Sequence, residues 1–300
     1  MKPTPPPTLE PTIKPTIQST PRPTSLGDII SKKCLFRALF KGSECIDVNS
    51  FQEFKLAIES GGNDVIFCGG FNLQKAEVGA VDVSNSIDIR CIDQCSFYGF
   101  GPFFNIGGIS SKIRLENLKF VNSRDSSAVI VSTSTAAAQT TFCDTEFERN
   151  QILVDKSGLG GAITVSRGSG IVNVVNNTFI ANIASQGGAI HSEGFKLNVV
   201  ESRFVANNAY DEGNAIFVSN GNQLSVHSST FILNTEVASR YSGRERPNSN
   251  FAIVVQPNTS IRASAQQASI TDGGGNSLAL SGKCNGVVTG QDYKCQEFKD

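Results

Sequence analysis

Three acidic residues alternate along one predicted strand, and they are the clearest group of side chains that could carry out catalysis. Asp144, Glu146 and Glu148 face outward if Phe147 faces the core, and Glu201 is the only acid in an equivalent place two repeats later. Carboxylates converging from neighbouring strands could hold calcium for a lyase or cleave a glycosidic bond. Because only one acid recurs at the same phase, we interpret this group as a solvated face.

Other catalytic patterns are incomplete. His191 and His227 do not share a phase, and neither has a readable partner for general-base chemistry, so we interpret both as surface or structural residues. The run Gly273-Gly-Gly275 lacks the lysine and hydroxyl residue of a phosphate-binding loop. We therefore predict a protein without catalytic residues, a metal site or a cofactor.

Composition excludes several classes of protein. The 26 Lys and Arg nearly balance the 27 Asp and Glu, so no basic face for nucleic acid is expected. No apolar run is long enough to span a bilayer, which argues against a transmembrane segment. No secretory apolar segment follows Met1, so we expect that a signal peptide has been removed or that the sequence is a fragment.

Eight cysteines, an even number, favour disulfide bonds and a location outside a reducing cytosol. The candidates for such bonds are Cys34, Cys45, Cys68, Cys91, Cys95, Cys284 and Cys295. Cys143 lies four residues before Phe147 on the same predicted strand face, where a core thiol would serve equally well. The sequence leaves the pairing open, and it disfavours zinc because Cys91 and Cys95 have no second close pair.

A phenylalanine recurs at intervals of 25 to 32 residues, each time closing a short run of alternating apolar and polar residues. The repeat comprises Phe120, Phe147, Phe179, Phe204 and Phe231, with asparagines three residues later at Asn150, Asn182, Asn207 and Asn234. Alternation with a period of two predicts strands with one buried face. We expect the phenylalanines to stack inside the fold and the asparagines to form a ladder of amides at a corner.

A glycine-rich bend followed by a small residue and an aliphatic residue forms the second repeated element. It occurs at Gly160-Gly161, Gly187-Gly188 and Gly213, and Ser127–Ile130 and 250–253 look like degenerate copies. Glycine enters positive φ at little cost, so these bends predict corners between strands.

The repeats predict an all-β fold, a parallel β-helix of seven to nine coils. A unit of about 25 residues cannot bury its apolar face alone, but stacked units share one core. An antiparallel sandwich gives no reason for the same residue to recur at the same phase. We expect a Pro/Thr-rich tail or linker at 1–25 and a β-helix domain at 26–300, with a helical cap at 46–62, coils over about 63–280 and a Cys-closed segment at 281–300.

The Phe-x-x-Asn and Gly-Gly-Ala-Ile motifs resemble the repeat of chlamydial polymorphic outer membrane proteins. Residues 46–280 resemble the right-handed parallel β-helix, or pectin-lyase-like, superfamily, and the chain is similar to β-helix proteins with Pro-Thr tails from stramenopile algae such as diatoms. The resemblance implies a single-stranded right-handed solenoid. Because superfamilies of this kind host many activities, it implies little about function.

Two surface features concern glycans, one as a bound partner and the other as a covalent modification. An insertion with Arg240, Tyr241, Arg244 and Arg246 could grip an anionic glycan, although a solvated loop is the simpler interpretation. Asn176 and Asn258 each begin an N-glycosylation sequon, which matters only if the protein is secreted.

These observations favour a non-enzymatic protein of the cell surface or extracellular space. We expect it to serve in adhesion, in wall scaffolding or in binding polysaccharide or other surface glycans. The alternative is a carbohydrate-active enzyme, namely a polysaccharide lyase, glycoside hydrolase or epimerase acting on an acidic polysaccharide.

Overall fold

The computed structural model of this chain describes residues 34, 45–75, 79–109, 111–152, 158–166, 168–219, 223–227, 229–234, 253–255, 260–261, 271–272, 279–280 and 294–295. Several predicted features lie outside these residues: the tail 1–25, the arginine-bearing insertion, the sequon at Asn258 and Cys284.

The described chain is built mainly from short strands. A helix spans Phe51–Ser60. The strands are β1 (Asp64–Phe67), β2 (Asn72–Lys75), β3 (Val81–Val83), β4 (Ile87–Phe100), β5 (Phe104–Ile106), β6 (Lys112–Arg124), β7 (Val129–Val131), β8 (Gln139–Cys143), β9 (Glu146–Glu148), β10 (Ile163–Val165), β11 (Ile171–Val175), β12 (Thr178–Ile180), β13 (Ile183–Gln186), β14 (Ile190–Glu193), β15 (Lys196–Val200), β16 (Arg203–Val205), β17 (Asn208–Glu212), β18 (Ile216–Ser219), β19 (Gln223–His227), β20 (Thr230–Ile232), β21 (Ile253–Val255), β22 (Ser260–Ile261), β23 (Thr271–Asp272), β24 (Ala279–Leu280) and β25 (Lys294–Cys295).

The strands wind into a parallel β-solenoid with three faces. The first face comprises β1, residues 87–91 of β4, residues 112–116 of β6, β8, β11, β15 and β19. The second face comprises β2, residues 95–100 of β4, residues 118–124 of β6, β9, β12, β16 and β20. The third face comprises β3, β5, β7, β10, β14, β18 and β21. The described residues form about six turns of this solenoid.

A file of phenylalanine rings runs through the core behind the second face. It contains the five predicted residues and begins one turn earlier, at Phe97. Ring centroids are 4.9 Å apart between Phe147 and Phe179, 4.6 Å between Phe179 and Phe204, and 4.7 Å between Phe204 and Phe231. These distances match the strand spacing of a sheet, because each ring belongs to the next strand of one parallel ladder.

A ladder of buried asparagines lies at the corner that follows the second face. Nδ2 of Asn150 donates to Oδ1 of Asn182 (2.9 Å), Asn182 donates in the same way to Asn207 (2.8 Å), and Asn207 to Asn234 (3.0 Å). The same Nδ2 groups also donate to backbone carbonyls, as Asn182 does to Phe147 (3.0 Å). Each buried amide is therefore satisfied by its neighbours in the stack.

A second polar ladder at the corner between the first and second faces has a weaker sequence signal. The backbone N–H of Thr145 donates to Oδ1 of Asn177 (2.7 Å), and that of Asn177 donates to Oγ of Ser202 (3.1 Å). The N–H of Ser202 donates to Oγ of Ser229 (3.1 Å). Because this position holds Thr, Asn and then Ser in successive turns, the sequence shows no single recurring residue there.

The third face differs from the sequence prediction by one residue in its register. Val129 pairs with Ile163 and faces the core, whereas the predicted repeat had placed Ile130 in that position. Ile130 points outward instead, because successive side chains of a strand alternate between faces.

At the glycine corners the prediction of positive φ was right. Gly187 has φ +63, and an added Cβ would collide with the carbonyl of Ile190.

The helix packs across the first turns of the solenoid. The Ser50 hydroxyl accepts from the N–H of Glu53 (3.1 Å) and caps the helix N-terminus. The Phe54 ring lies 4.4 Å from Phe67 and 4.6 Å from Phe97, measured between centroids. These contacts cover the apolar interior at this end of the stack.

Three disulfide bonds join Cys34 to Cys143, Cys45 to Cys68, and Cys91 to Cys95. The suggestion of a core thiol at Cys143 was wrong. Its neighbour Phe142 points into the core, so the Cys143 side chain points outward on the first face and reaches Cys34.

Replacing Phe204 with alanine should lower the free energy of unfolding by about 3–5 kcal/mol, because the ring lies between two stacked neighbours and is fully buried. Urea denaturation of the purified chain measures this loss. The control Leu233→Ala, at a side chain that is 56% exposed, should change the free energy by less than about 0.5 kcal/mol. Equal losses for the two variants would contradict the stacked core.

Candidate functional site

The outward side chains of the three faces differ in how far solvent can reach them. A binding surface must be accessible, so these side chains decide which face could meet a partner.

The later turns of the first face are covered. Cys143, Val175 and Val200 occupy one register position in successive turns, and they form a small apolar cluster with Cys34, separate from the main core. The adjacent column is polar and buried: Asn198 Nδ2 donates to Asn173 Oδ1 (2.8 Å), and Asn173 Nδ2 donates to Thr141 Oγ1 (3.2 Å). The Cys34–Cys143 bond thus holds Cys34 against this face.

The early turns of the first face carry a cluster of charged residues. Arg114 Nη2 lies 2.7 Å from Glu116 Oε2, and Arg90 Nη2 lies 2.6 Å from Asp88 Oδ2. Arg90 Nε also lies 3.9 Å from Glu116 Oε2. Burial raises the pKa of Glu116 above its ordinary value, although Arg114 and Arg90 act to lower it. This cluster escaped the sequence analysis because its members occupy two neighbouring outward columns rather than one.

The third face buries its outward side chains in the later turns. His191 lies between Thr164 and Phe217 in register, and all three are buried. The His191 ring stacks on Phe217 with centroids 5.3 Å apart, and Nδ1 has no hydrogen-bond partner among the described residues. Burial lowers the pKa of His191 to about 4, against a smaller opposing effect of Glu193. His191 is therefore a neutral, structural residue at neutral pH.

The second face remains accessible along its length. Two outward columns run along it, and each of their side chains is exposed or half-buried. The first column is mainly polar: Ser96, Lys119, Glu146, Thr178, Arg203 and Thr230. The second is mainly apolar: Tyr98, Val121, Glu148, Ile180, Val205 and Ile232. This face is the candidate binding surface.

The predicted acidic group belongs to this surface and is neutralised in part by one lysine. Lys119 Nζ lies 2.8 Å from Glu146 Oε1 and 2.9 Å from Glu148 Oε2. Burial lowers the pKa of Lys119, but the hydrogen bonds to both glutamates outweigh it and raise that pKa overall. In the described part of the chain no salt bridge reaches Arg203, whose side chain is exposed. The surface therefore offers a compact ionic group and a separate cation two turns away.

The corner between the first and second faces carries the remaining acids and one sequon. Asp144, Asn176 and Glu201 occupy successive turns with φ of 50, 53 and 51 degrees. Asn176 is exposed, and its Nδ2 donates to Oδ1 of Asp144. The structure thus separates Asp144 from the outward column of Glu146 and brings it next to the sequon asparagine. The second histidine considered in the sequence analysis, His227, is the last residue of β19 and pairs with Val200 of the preceding turn.

Comparison with known proteins gives no relative: no protein-family model, curated protein or solved structure matches the chain. Of the helices within the described ranges, none combines the length and apolar character needed to cross a membrane. Among the same residues, no three His, Cys, Asp or Glu side chains form a group suited to holding a metal ion.

The His191 pKa predicts acid sensitivity of the fold. The unfolded chain binds the proton near pH 6.5 and the folded chain near pH 4, so the unfolded state holds more protons in this window. Stability should therefore fall as pH falls, by up to about 3 kcal/mol from this residue. His191→Phe should remove that part of the slope in urea unfolding measured across the window. An unchanged slope in the variant would show that His191 does not titrate as described.

Proposed function

We propose that the protein is a non-enzymatic β-solenoid of the extracellular space or cell surface, acting in adhesion, wall scaffolding or carbohydrate contact. We place it as a distant relative of the right-handed parallel β-helix superfamily with repeats of the chlamydial polymorphic outer membrane type. Three disulfide bonds support an oxidising location. The Pro/Thr-rich segment 1–25 has the composition of a stalk.

The accessible second face is the observation that carries this proposal. Its outward side chains repeat at the strand spacing of about 4.8 Å, so an extended partner meets the same two columns at every turn. The phenylalanine file and the asparagine ladder hold these strands in register from behind. A rigid surface loses little conformational entropy on binding, which favours many weak contacts along a long partner.

A carbohydrate-active enzyme is the second candidate, and the charged cluster on the first face favours it. Glu116 combines a raised pKa with two nearby arginines, a combination that can serve acid catalysis on an anionic sugar. The substrate would be an acidic polysaccharide, and the chemistry a lyase, hydrolase or epimerase reaction. Its pKa is raised by burial, however, and the same burial limits access of a polymer to Glu116.

Binding to a panel of neutral and acidic polysaccharides tests the proposal. We expect the intact chain to bind at least one extended polymer, and Ile180→Glu to weaken that binding by about tenfold or more, because it places a charge in the apolar column of the second face. Ile130→Glu is the matched control: Ile130 is also half-buried and outward, but on the third face. A chain lacking residues 237–248 shows whether the arginine-bearing insertion contributes.

Two outcomes would contradict the proposal. Equal weakening by Ile180→Glu and Ile130→Glu would remove the second face as the binding surface. Turnover of an acidic polymer to unsaturated or shortened product, lost in Glu116→Gln, would establish the enzyme instead.

A further inference from the structure

The second face is complementary to itself. Its polar column reads, turn by turn, as a cation at Lys119, an anion at Glu146, a neutral hydroxyl at Thr178 and a cation at Arg203. The parallel column beside it is apolar except at Glu148. A pattern in which opposite charges flank a neutral centre can pair with its own inverted copy, and such pairing is what an isologous interface requires.

Consider two copies placed face to face, with a two-fold axis that runs parallel to the strands through the turn of Thr178. Each turn before Thr178 then meets the equivalent turn after Thr178 in the other copy. Glu146 of one copy faces Arg203 of the other, and Lys119 faces the neutral Thr230. Since the operation is symmetric, the Glu146–Arg203 pair occurs twice.

Several other symmetric registers bring like charges together. An axis through Glu146 or Arg203 would oppose that residue to its own copy. An axis midway between Glu146 and Thr178 would oppose Lys119 to Arg203. Like charges directly opposed across an interface weaken association, so these registers are disfavoured.

The position of Arg203 distinguishes the two registers that oppose unlike charges. An axis midway between Lys119 and Glu146 opposes two residues that already form a salt bridge within one copy, and it places Arg203 against Asn72. The axis through Thr178 instead places Arg203 against the carboxylate of Glu146, and this pair occurs twice. Both registers place the Glu148 carboxylate against a valine, so that cost does not separate them. A carboxylate opposite Arg203, which no salt bridge among the described residues reaches, favours the axis through Thr178.

We propose that the second face binds the second face of another copy of this chain, in the register centred on Thr178. The inference rests on the proposed surface function, since it names the partner as a second copy and the activity as homophilic contact. From β4 to β20 the face is about 24 Å long and about 10 Å wide, well below the roughly 800 Å² per partner of stable complexes. The contact is therefore weak in solution and strengthened when many copies are displayed on a surface.

Sedimentation velocity at increasing concentration of the full chain tests the proposal. We expect a reversible monomer–dimer equilibrium, and each of Arg203→Glu and Glu146→Arg should raise the dissociation constant by about tenfold or more. The double variant restores opposite charges and should return the constant to within about threefold of wild type. Lys112→Glu reverses an exposed charge at the start of β6 on the first face and should leave the constant unchanged.

The double variant distinguishes the two registers. In the register midway between Lys119 and Glu146, it would oppose Lys119 to the introduced arginine and would not restore the dimer. Failure of the double variant to restore the dimer, or a chain that stays monomeric throughout, overturns the proposal. If Glu146→Arg lowers the melting temperature, Ile180→Glu replaces it and should abolish the dimer.

The same variants on the polysaccharide panel separate this proposal from the one on which it rests. A monomeric wild type that still binds a polymer through Ile180 overturns self-association and leaves the surface function standing. A dimer restored in the double variant supports self-association, whether or not any polysaccharide binds.

Discussion

Equivalent residues of successive turns lie directly above one another, and the rest of this molecule depends on this constraint. A buried asparagine amide needs partners for two donors and an acceptor, and here the neighbouring turns supply them. Asn182 receives a bond from Asn150, gives one to Asn207 and gives another to the carbonyl of Phe147. A turn displaced by one residue would leave these amide donors and acceptors in the core without hydrogen-bond partners. The ladder therefore fixes the register of the β-strands next to it.

The register that is fixed in the core also sets the pattern of side chains on the outer surface. Because side chains alternate along a strand, a file of phenylalanines on the inner side produces two straight columns on the outer side of the same strands. The three faces then acquire different properties from what lies over them. The outward side chains are buried on the later turns of the first face, near the Cys34–Cys143 bond, and on the later turns of the third, whereas those of the second face stay accessible.

Sequence periodicity predicted the parts of the fold that depend on neighbouring turns. Phe179, Phe204 and Asn207 recur as the same letter at the same phase, because each is packed or hydrogen-bonded by its own equivalents. The exchange of Val129 for Ile130 in the core shows the limit of this approach: both are aliphatic β-branched residues, and a shift of one reverses the face.

Features that join distant or outward residues left little signal in the sequence. Cys34 and Cys143 are 109 residues apart, and nothing in their surroundings marks them as partners. Arg90, Arg114 and Glu116 belong to adjacent outward columns, where charge order is not repeated from turn to turn. Which of the three faces stays accessible depends on how far the outward side chains of each are buried in the fold, and no local pattern of residues predicts this burial.

Amide hydrogen exchange in an Asn207→Ala variant tests the stacked ladder most directly. The backbone N–H of Asn182 donates to Oδ1 of Asn207 (3.1 Å), whereas that of Asn150 donates to Oδ1 of Asn182 one turn away (3.1 Å). If the turns stack as described, exchange at Asn182 should quicken by roughly tenfold or more, and by more than exchange at Asn150. Unchanged exchange at Asn182 would contradict the stacking of equivalent residues and, with it, the surface built on that stack.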